Sequence, residues 1–485
     1  MDYKKINYEK MLWILISIFS LYVSIAVGLD NDKPTYYEWL PLLPLSYAII
    51  NFLSVGLYRG ILNFSENLAK LIIHVFFFIR QSLAIFFLYV GGYVSTLNKL
   101  TPENVNSGIA LMIFETIFAY LMLNIYTRKK IYLWGTRKVR LKNGLYRSLK
   151  LKVVGLILTG CVIFCVGAYF TSPLIQRSYS SIWNPDLMAS DAYYLAKIEA
   201  RVGSMDRILF TLFNVVFDFT RILFPCWLLF ELKKHLGDRF ICILIGALLC
   251  FMQLLMILNE NMYILITILI TGIYLIKIYP KYRRFMIRVL SIAGVIIVAF
   301  FFLSVAARVS ISQENYFSTF SDMFQIYFPG ISNIACGFNI VDDNVASTLF
   351  FDIYEAIPFH NTLFGLSGIR LSDIYNSCNG VKYTICPGII QAYHYLGFLA
   401  PIVTCVIIKI ALDSQEKLNN AKDLFSYAAY ALLTVYSAMT PVCYYPTVLL
   451  SRFLSTILPM LIISKFAGRN YSFAIIEDRN EEKIG

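Results

Sequence analysis

Side chains that could move a proton are concentrated in one polar segment, residues 308–386. His360, Asp352, Glu355 and Asp373 all lie there, and each could act as a general base toward a substrate hydroxyl. His360 has the most suitable unperturbed pKa for that role, although a single loop histidine is more often merely solvated. Asp352 and Glu355 have a plainer interpretation that we favour, as the solvated face of an amphipathic helix. The segment predicts acid–base chemistry without choosing the base.

Six arginines could bring positive charge to an anionic substrate. A guanidinium stays charged and can hold a phosphate through two parallel hydrogen bonds. Arg452, near one end of an apolar stretch, has an equal alternative in which its side chain simply reaches the membrane interface. The six residues are Arg177, Arg201, Arg207, Arg308, Arg370 and Arg452. Together they predict a substrate that carries phosphate or diphosphate.

Four further charges fall inside apolar stretches, where an ionisable side chain is costly and therefore a functional candidate. Arg80 and Glu115 lie at matched depths on consecutive antiparallel helices, roughly 14–17 Å from one end at about 1.5 Å per residue. Asp218 and Arg221 are three residues apart and can pair on one helix face. Each pair is either a structural ion pair or part of a functional site, and the sequence leaves both interpretations open.

Metal and cofactor sites are not indicated by the sequence. Its four histidines are scattered, at His74, His235, His360 and His394, and no Asp-rich repeat accompanies them. A Gly-rich loop ending in Gly-Lys-Ser or Gly-Lys-Thr, which would cradle nucleotide phosphates, does not occur. We therefore expect no cofactor and no metal. Cys378 and Cys386 are spaced so that they could close a short disulfide.

Composition and the spacing of apolar stretches predict the secondary structure that positions these residues. The 485 residues are 58% hydrophobic and 15% charged, far from the balance of globular proteins. Apolar stretches near the roughly 20 residues that cross a bilayer recur along the chain. They fall at 11–28, 39–57, 71–92, 108–126, 153–171, 208–229, 240–258, 262–276, 286–307, 387–412, 424–440 and 447–466. We predict an all-α, polytopic integral membrane protein, a single membrane domain over residues 1–485 with about 12 transmembrane helices.

The distribution of basic residues predicts the orientation. When both termini are cytoplasmic, most of the 42 Lys and Arg residues fall inside, many of them in a basic loop at 127–152. Outer loops then span 172–207 and the much larger 308–386. The net charge of +12 indicates attraction to lipid headgroups, and nucleic acid is not an expected partner because no folded basic domain is present.

Two amphipathic helices are predicted within the larger outer loop. The first has an apolar stripe from Phe317 to Phe328 and ends at Pro329-Gly330. The second has Leu349, Phe350, Ile353, Tyr354 and Ile357 on one face and ends at Pro358. Stripes at this spacing favour helices that lie on the outer membrane surface.

This layout, with the segments Tyr327-Phe-Pro-Gly330 and 387–398, resembles the O-antigen and capsule repeat-unit polymerases (Wzy family). Members often carry Arg, ten residues and Gly in each of two outer loops, whereas Arg370 to Gly380 encloses nine and Arg201-Val-Gly203 lacks the spacing. The resemblance implies metal-independent glycosyl transfer between undecaprenyl diphosphate-linked oligosaccharides on the outer face of the bacterial inner membrane. It also implies that Arg308, Arg370 and Arg452 grip the diphosphate.

Partners and rival functions follow from the same layout. The resemblance implies membrane lipids as surroundings, and a chain-length regulator and a flippase of the same pathway as partners. A polysaccharide flippase or another secondary transporter is the main alternative, because twelve helices with both ends inside is also a transporter layout. The sequence shows no internal repeat of the transporter kind. An O-antigen ligase, which shares the topology and the large outer loop, is a third possibility.

Overall fold

The computed structural model describes residues 3–54, 64–134, 149–178, 204–255, 261–289 and 316–467. Short gaps remain at 96, 98, 359, 361–363, 367, 382–383, 422 and 444–445, and a few more positions are described between 290 and 300. Regular structure in this part of the chain is helical throughout, in agreement with the predicted all-α class.

The helices follow one another with few long connections in the described ranges. The first ten are α1 Tyr3–Leu29, α2 Leu42–Leu53, α3 Phe64–Phe78, α4 Ala84–Val90, α5 Pro102–Trp134, α6 Leu149–Thr171, α7 Pro173–Ser178, α8 Ser204–Leu236, α9 Phe240–Leu255 and α10 Asn261–Ile278. The others are α11 Tyr316–Tyr327, α12 Ile331–Gly337, α13 Val345–Ala356, α14 Leu371–Asn379, α15 Gly388–Leu396, α16 Ala400–Asn419, α17 Leu424–Cys443, α18 Pro446–Arg452 and α19 Leu458–Ala467. Five-residue π-helical turns join α3 to α4 at Ile79–Leu83 and α18 to α19 at Phe453–Ile457.

Six helical stretches within the described ranges are long and apolar enough to cross a membrane. They are Lys10–Leu29, Glu66–Val90, Pro102–Thr127, Ile208–Leu236, Gly388–Asn419 and Pro446–Lys465. Shorter apolar helices occur at Gly155–Thr171, Phe240–Cys250 and Ile266–Ile278. The protein is therefore an α-helical, multi-pass membrane protein, and six of the twelve predicted spans coincide with helices of spanning length.

Three of the remaining predicted spans differ from the helices found in the structure or lie largely outside the described residues. The stretch 39–57 contains only the 12-residue helix α2, which is shorter than the roughly 20 residues of a spanning helix. The stretch 424–440 forms most of α17, which is not among the six. Most of 286–307 lies outside the described residues. Helix α5 continues to Trp134 and α6 begins at Leu149, so both enter the predicted basic loop.

The described residues group into two compact units. One comprises Met1–Lys138, Phe300–Lys417 and Leu433–Leu454, and the other comprises Val139–Ala299, Leu418–Leu432 and Ser455–Gly485. In the second unit, close helix contacts depend on small residues. A Cβ on Gly155 of α6 would lie 2.3 Å from the Trp227 ring of α8, and one on Gly246 of α9 would lie 2.4 Å from Leu275 of α10.

The first unit has an unexpected helix at its centre. All seven residues of α12 are buried, although they fall in the segment predicted as an outer loop. Gly108 of α5 allows the close approach, because a Cβ there would lie 3.1 Å from Ile331 Cδ1. The hydroxyls of Tyr37 and Ser332 are 2.8 Å apart and satisfy each other in this interior. Part of the predicted loop thus belongs to the core.

Helix α11 corrects a second prediction. Its stripe does form a helix that ends before Pro329, as the sequence indicates. However, Phe320 and Phe324 are buried and their rings lie 4.9 and 4.8 Å from that of Phe87 on α4. The stripe therefore packs on protein and is not free to lie on a membrane surface.

Candidate functional site

Three helices of the first unit, α13, α14 and α15, bring together the polar residues of the predicted outer segment. Helix α13 begins at Val345 and is capped by Asn344, whose side-chain oxygen accepts a hydrogen bond from Ser347 N at 3.1 Å. It ends where Ile357 adopts an extended backbone before Pro358, as predicted. This stop places Glu355 in the last turn of α13 and lets the chain turn toward His360.

Arg370 is the charged centre of the site. It is the N-cap residue of α14, and its Nε and Nη2 donate to the two carboxylate oxygens of Asp373, both at 2.9 Å. Its Nη1 lies 3.7 Å from Glu355 Oε2. The structure therefore brings together Arg370, Asp373 and Glu355, which the sequence proposed separately.

His360 lies beside the same carboxylate. Its Nδ1 is 2.8 Å from Ile357 O, and because a carbonyl only accepts, Nδ1 carries the proton. Its Nε2 is buried without a hydrogen bond in the described structure, and Glu355 Oε2 lies 3.5 Å away. A neutral His360 therefore has a bare lone pair beside a carboxylate.

The solvent exposure of these side chains determines how strong the ion pairs of Arg370 are. The side chains of Arg370, Glu355 and Asp373 are 34%, 34% and 47% exposed. Exposed ion pairs generally contribute about 0–1 kcal/mol, because water competes for both charges, and the two-pronged geometry of Arg370 with Asp373 places this pair toward the upper end of that range. An anion that makes the same two hydrogen bonds can therefore compete with Asp373 for Arg370.

Asp352 corrects the interpretation that we favoured for it. Its side chain is only 4% exposed, so it does not form a solvated face. Its Oδ1 accepts from Leu371 N at 3.2 Å, and its Oδ2 accepts from Gln391 Nε2 and Tyr395 Oη, both at 2.6 Å. Glu355, one turn later, is the residue of the two that meets solvent.

A second histidine–carboxylate pair was missed by sequence reasoning. His394 Nε2 on α15 is 2.9 Å from Asp342 Oδ2. Burial acts to raise the pKa of Asp342, but hydrogen bonds from Thr348, Asn344 N and His394 outweigh burial and hold that pKa below its ordinary value. The signal was available: Gln391, His394 and Tyr395 are spaced i, i+3 and i+4, and so share one face of a helix.

Of the other predicted arginines, only Arg452 has a side chain within the described residues. Arg452 ends α18, a helix that packs against α13, and its side chain is partly buried. Arg177 lies in α7 and Arg207 in the first turn of α8, and the side chains of both lie outside the described residues. Arg201 and Arg308 lie outside the described residues altogether.

The charges within the apolar stretches form two ion pairs. Arg80 Nη2 contacts Glu115 Oε2, and both side chains are fully buried; this is the pair that their matched depths predict. Arg221 Nη2 contacts Asp218 Oδ1 at 2.6 Å within α8 of the second unit. Each charge therefore has its counter-ion beside it.

The predicted disulfide is absent. Cys378 and Cys386 are both free thiols. Cys386 is buried, and burial raises the pKa of its thiol, so it stays protonated and unreactive.

The apolar stripe predicted for α13 is only partly covered. Leu349, Phe350 and Ile353 are exposed, whereas Tyr354 is buried. The second predicted amphipathic helix therefore forms, with part of its apolar face exposed and part packed on protein.

The sequence and the structure were compared with family models, with curated proteins and with solved structures, and none of these comparisons gave a match.

Proposed function

We propose that this chain is a glycosyltransferase that polymerises undecaprenyl diphosphate-linked oligosaccharide repeat units into O-antigen or capsular polysaccharide. The observation that carries the proposal is the partly exposed pair of Arg370 and Glu355, with His360 Nε2, which makes no hydrogen bond, 3.5 Å from Glu355. In the reaction, a hydroxyl of the incoming unit attacks the anomeric carbon of the growing chain. The bond from that carbon to the diphosphate oxygen breaks, lipid diphosphate leaves, and a base takes the hydroxyl proton.

Arg370 supplies positive charge and hydrogen bonds to the diphosphate leaving group. Its guanidinium already makes two parallel hydrogen bonds to one carboxylate, which is also the geometry in which arginine holds phosphate. Since the pair with Asp373 is partly exposed, a diphosphate, which offers more negative charge and the same two acceptors, can compete for the place of Asp373. The positive charge then stabilises negative charge that develops as the sugar departs.

His360 supplies the base. Its Nδ1 is engaged by Ile357 O, so the free Nε2 is the nitrogen that accepts the proton. Once Nε2 is protonated, the negative charge of Glu355, whose Oε2 lies 3.5 Å from that nitrogen, stabilises the imidazolium.

The proposed setting is the outer face of the bacterial inner membrane. Twelve spans with both termini cytoplasmic, the basic loop 127–152 inside and the segments 172–207 and 308–386 outside remain part of the proposal. Its support is the positive-inside distribution. The flippase and chain-length regulator of the pathway are the proposed partners.

Orientation is tested by labelling cysteines on intact cells in a Cys378→Ser background, which removes a partly exposed thiol. A cysteine at Ala346, which is exposed in α13, should react with an impermeant reagent. A cysteine at Asn143 should not. Reversed labelling would overturn the orientation.

Function is tested by deleting the gene and analysing surface polysaccharide. A lost polymerase leaves single repeat units at the surface, a lost flippase leaves almost none, and a lost ligase leaves long chains that are not attached to lipid A. The deletion strain is complemented with wild type, His360→Gln and the control His235→Gln, a histidine exposed in the second unit. We expect ladders from wild type and the control and single units from His360→Gln; any other deletion phenotype refutes the polymerase.

A further inference from the structure

We infer that Asp352 is a positioning residue, whose buried carboxylate holds Arg370 in place beside Glu355 and His360 and takes no part in proton transfer. This assignment departs from the catalytic role that its residue type and segment suggested. Its activity readout rests on the proposed function, whereas its structural readout does not.

The first contact that carries the inference is at the N-terminus of α14. The first amides of a helix have no partner inside that helix, and Leu371 N donates to Asp352 Oδ1 at 3.2 Å. Arg370, the N-cap residue, makes no side-chain cap of its own, because a guanidinium can only donate. Asp352 therefore supplies from α13 the acceptor that α14 lacks, one residue away from Arg370.

The second set of contacts joins α15 to the same carboxylate. Gln391 and Tyr395, one turn apart on α15, both donate to Asp352 Oδ2 at 2.6 Å. One side chain thus ties three helices together. Since Glu355 is one turn further along α13, a shift of α13 against α14 changes the spacing between Glu355 and Arg370.

These contacts also argue against a role as base. The Asp352 carboxylate already accepts three hydrogen bonds. A substrate hydroxyl would have to displace one of these donors before it could give up a proton. His360 Nε2, in contrast, has no hydrogen bond to lose.

The substitution Asp352→Asn distinguishes a positioning role from a role as general base. In Asp352→Asn, the amide oxygen can still accept from Leu371 N, and the new NH2 group can donate to the other side. Gln391 can turn its amide, because its Oε1 has no partner in the described structure, and the Tyr395 hydroxyl can accept instead of donating. Asp352→Ala removes all three contacts.

The structural readout is hydrogen exchange of the purified full-length chain. Asp352→Ala should speed amide exchange at the start of α14 by about tenfold or more, because one buried hydrogen bond is lost there. Asp352→Asn should exchange like wild type. If alanine does not accumulate, Asp352→Ser replaces it, because serine keeps a polar group but is too short to reach Leu371 N. Unchanged exchange in the truncated variant would overturn the inference.

The activity readout is the polysaccharide ladder in the complemented deletion strain, and its dependence on pH. Asp352→Asn should keep the ladder and the wild-type pH profile, whereas Asp352→Ala should shorten the ladder to single units. Loss of polymer in Asp352→Asn with wild-type exchange would make Asp352 the base and refute positioning. If wild type itself restores no polymer, the proposed function fails, and hydrogen exchange alone still decides the role of Asp352.

Discussion

The protein uses arginine–carboxylate pairs in two opposite ways. Arg80 and Glu115 are 1% and 0% exposed. Two further contacts support the pair: Thr404 donates to Glu115 at 2.8 Å, and Pro441 O accepts from Arg80 at 3.2 Å. The pair of Arg370 with Asp373 is open to solvent on both sides. Burial, not residue type, separates a pair that is closed to water from one that water can reach.

The physical reason is the cost of removing charges from water. A charge left alone in the interior is strongly destabilising, so a buried pair must be kept complete. An exposed pair loses little when it opens, because water hydrates both partners. The two regions should therefore respond differently to the same kinds of substitution.

The largest effect is expected at the buried pair. Arg80→Met or Glu115→Met alone should lower stability by about 3–5 kcal/mol, because the partner charge is left unpaired. The double variant should recover much of the loss. The measurement is folded yield and thermal stability of purified protein, with Lys409→Met, from an exposed pair on α16, as control. A double variant worse than either single one would contradict the pairing.

An intermediate effect is expected at Arg370, on activity and not on folding. Arg370→Lys keeps the charge but loses the two-pronged grip, and should slow polymer formation by roughly a hundredfold, as does loss of one oxyanion donor. Ladder length is compared at equal membrane abundance, with Lys382→Gln as control. Normal ladders would remove Arg370 from the diphosphate site and leave Arg201, Arg207, Arg308 and Arg452 as candidates.

The smallest effect is expected at Asp373. Asp373→Asn frees the Arg370 fork from a pair worth about 0–1 kcal/mol, so stability should hardly change and the KM for the lipid-linked donor should fall by up to about fivefold. The measurement is the donor concentration dependence of polymer synthesis in membranes. A large loss of turnover would instead place Asp373 in the chemistry, as its residue type allowed.

Local features of this fold could be read from the sequence. The pairing of Arg80 with Glu115 follows from helix periodicity and matched depth, and the end of α13 follows from Pro358. These depend on residues close in sequence or on repeating helical geometry.

Features that depend on contacts between distant parts of the chain could not be predicted from the sequence. The stripes of α11 and α13 look alike in sequence, yet α11 buries Phe320 and Phe324 against Phe87, while α13 leaves Phe350 and Ile353 exposed. Burial of Asp352 likewise requires Gln391 and Tyr395, about forty residues later. Periodicity predicts which face is apolar, but not what covers it.

The buried helix α12 also has a consequence for the order of synthesis. Its surroundings come partly from an earlier part of the chain, at Gly108, and partly from a later one, at Ile390. Roughly 220 residues separate Gly108 from Ile331, so at about 5–20 residues per second α12 follows Gly108 from the ribosome by roughly 10–45 s. The core around α12 can therefore close only after α15 has also been made, and a ribosome pause between Gly108 and Ile390 delays that closure.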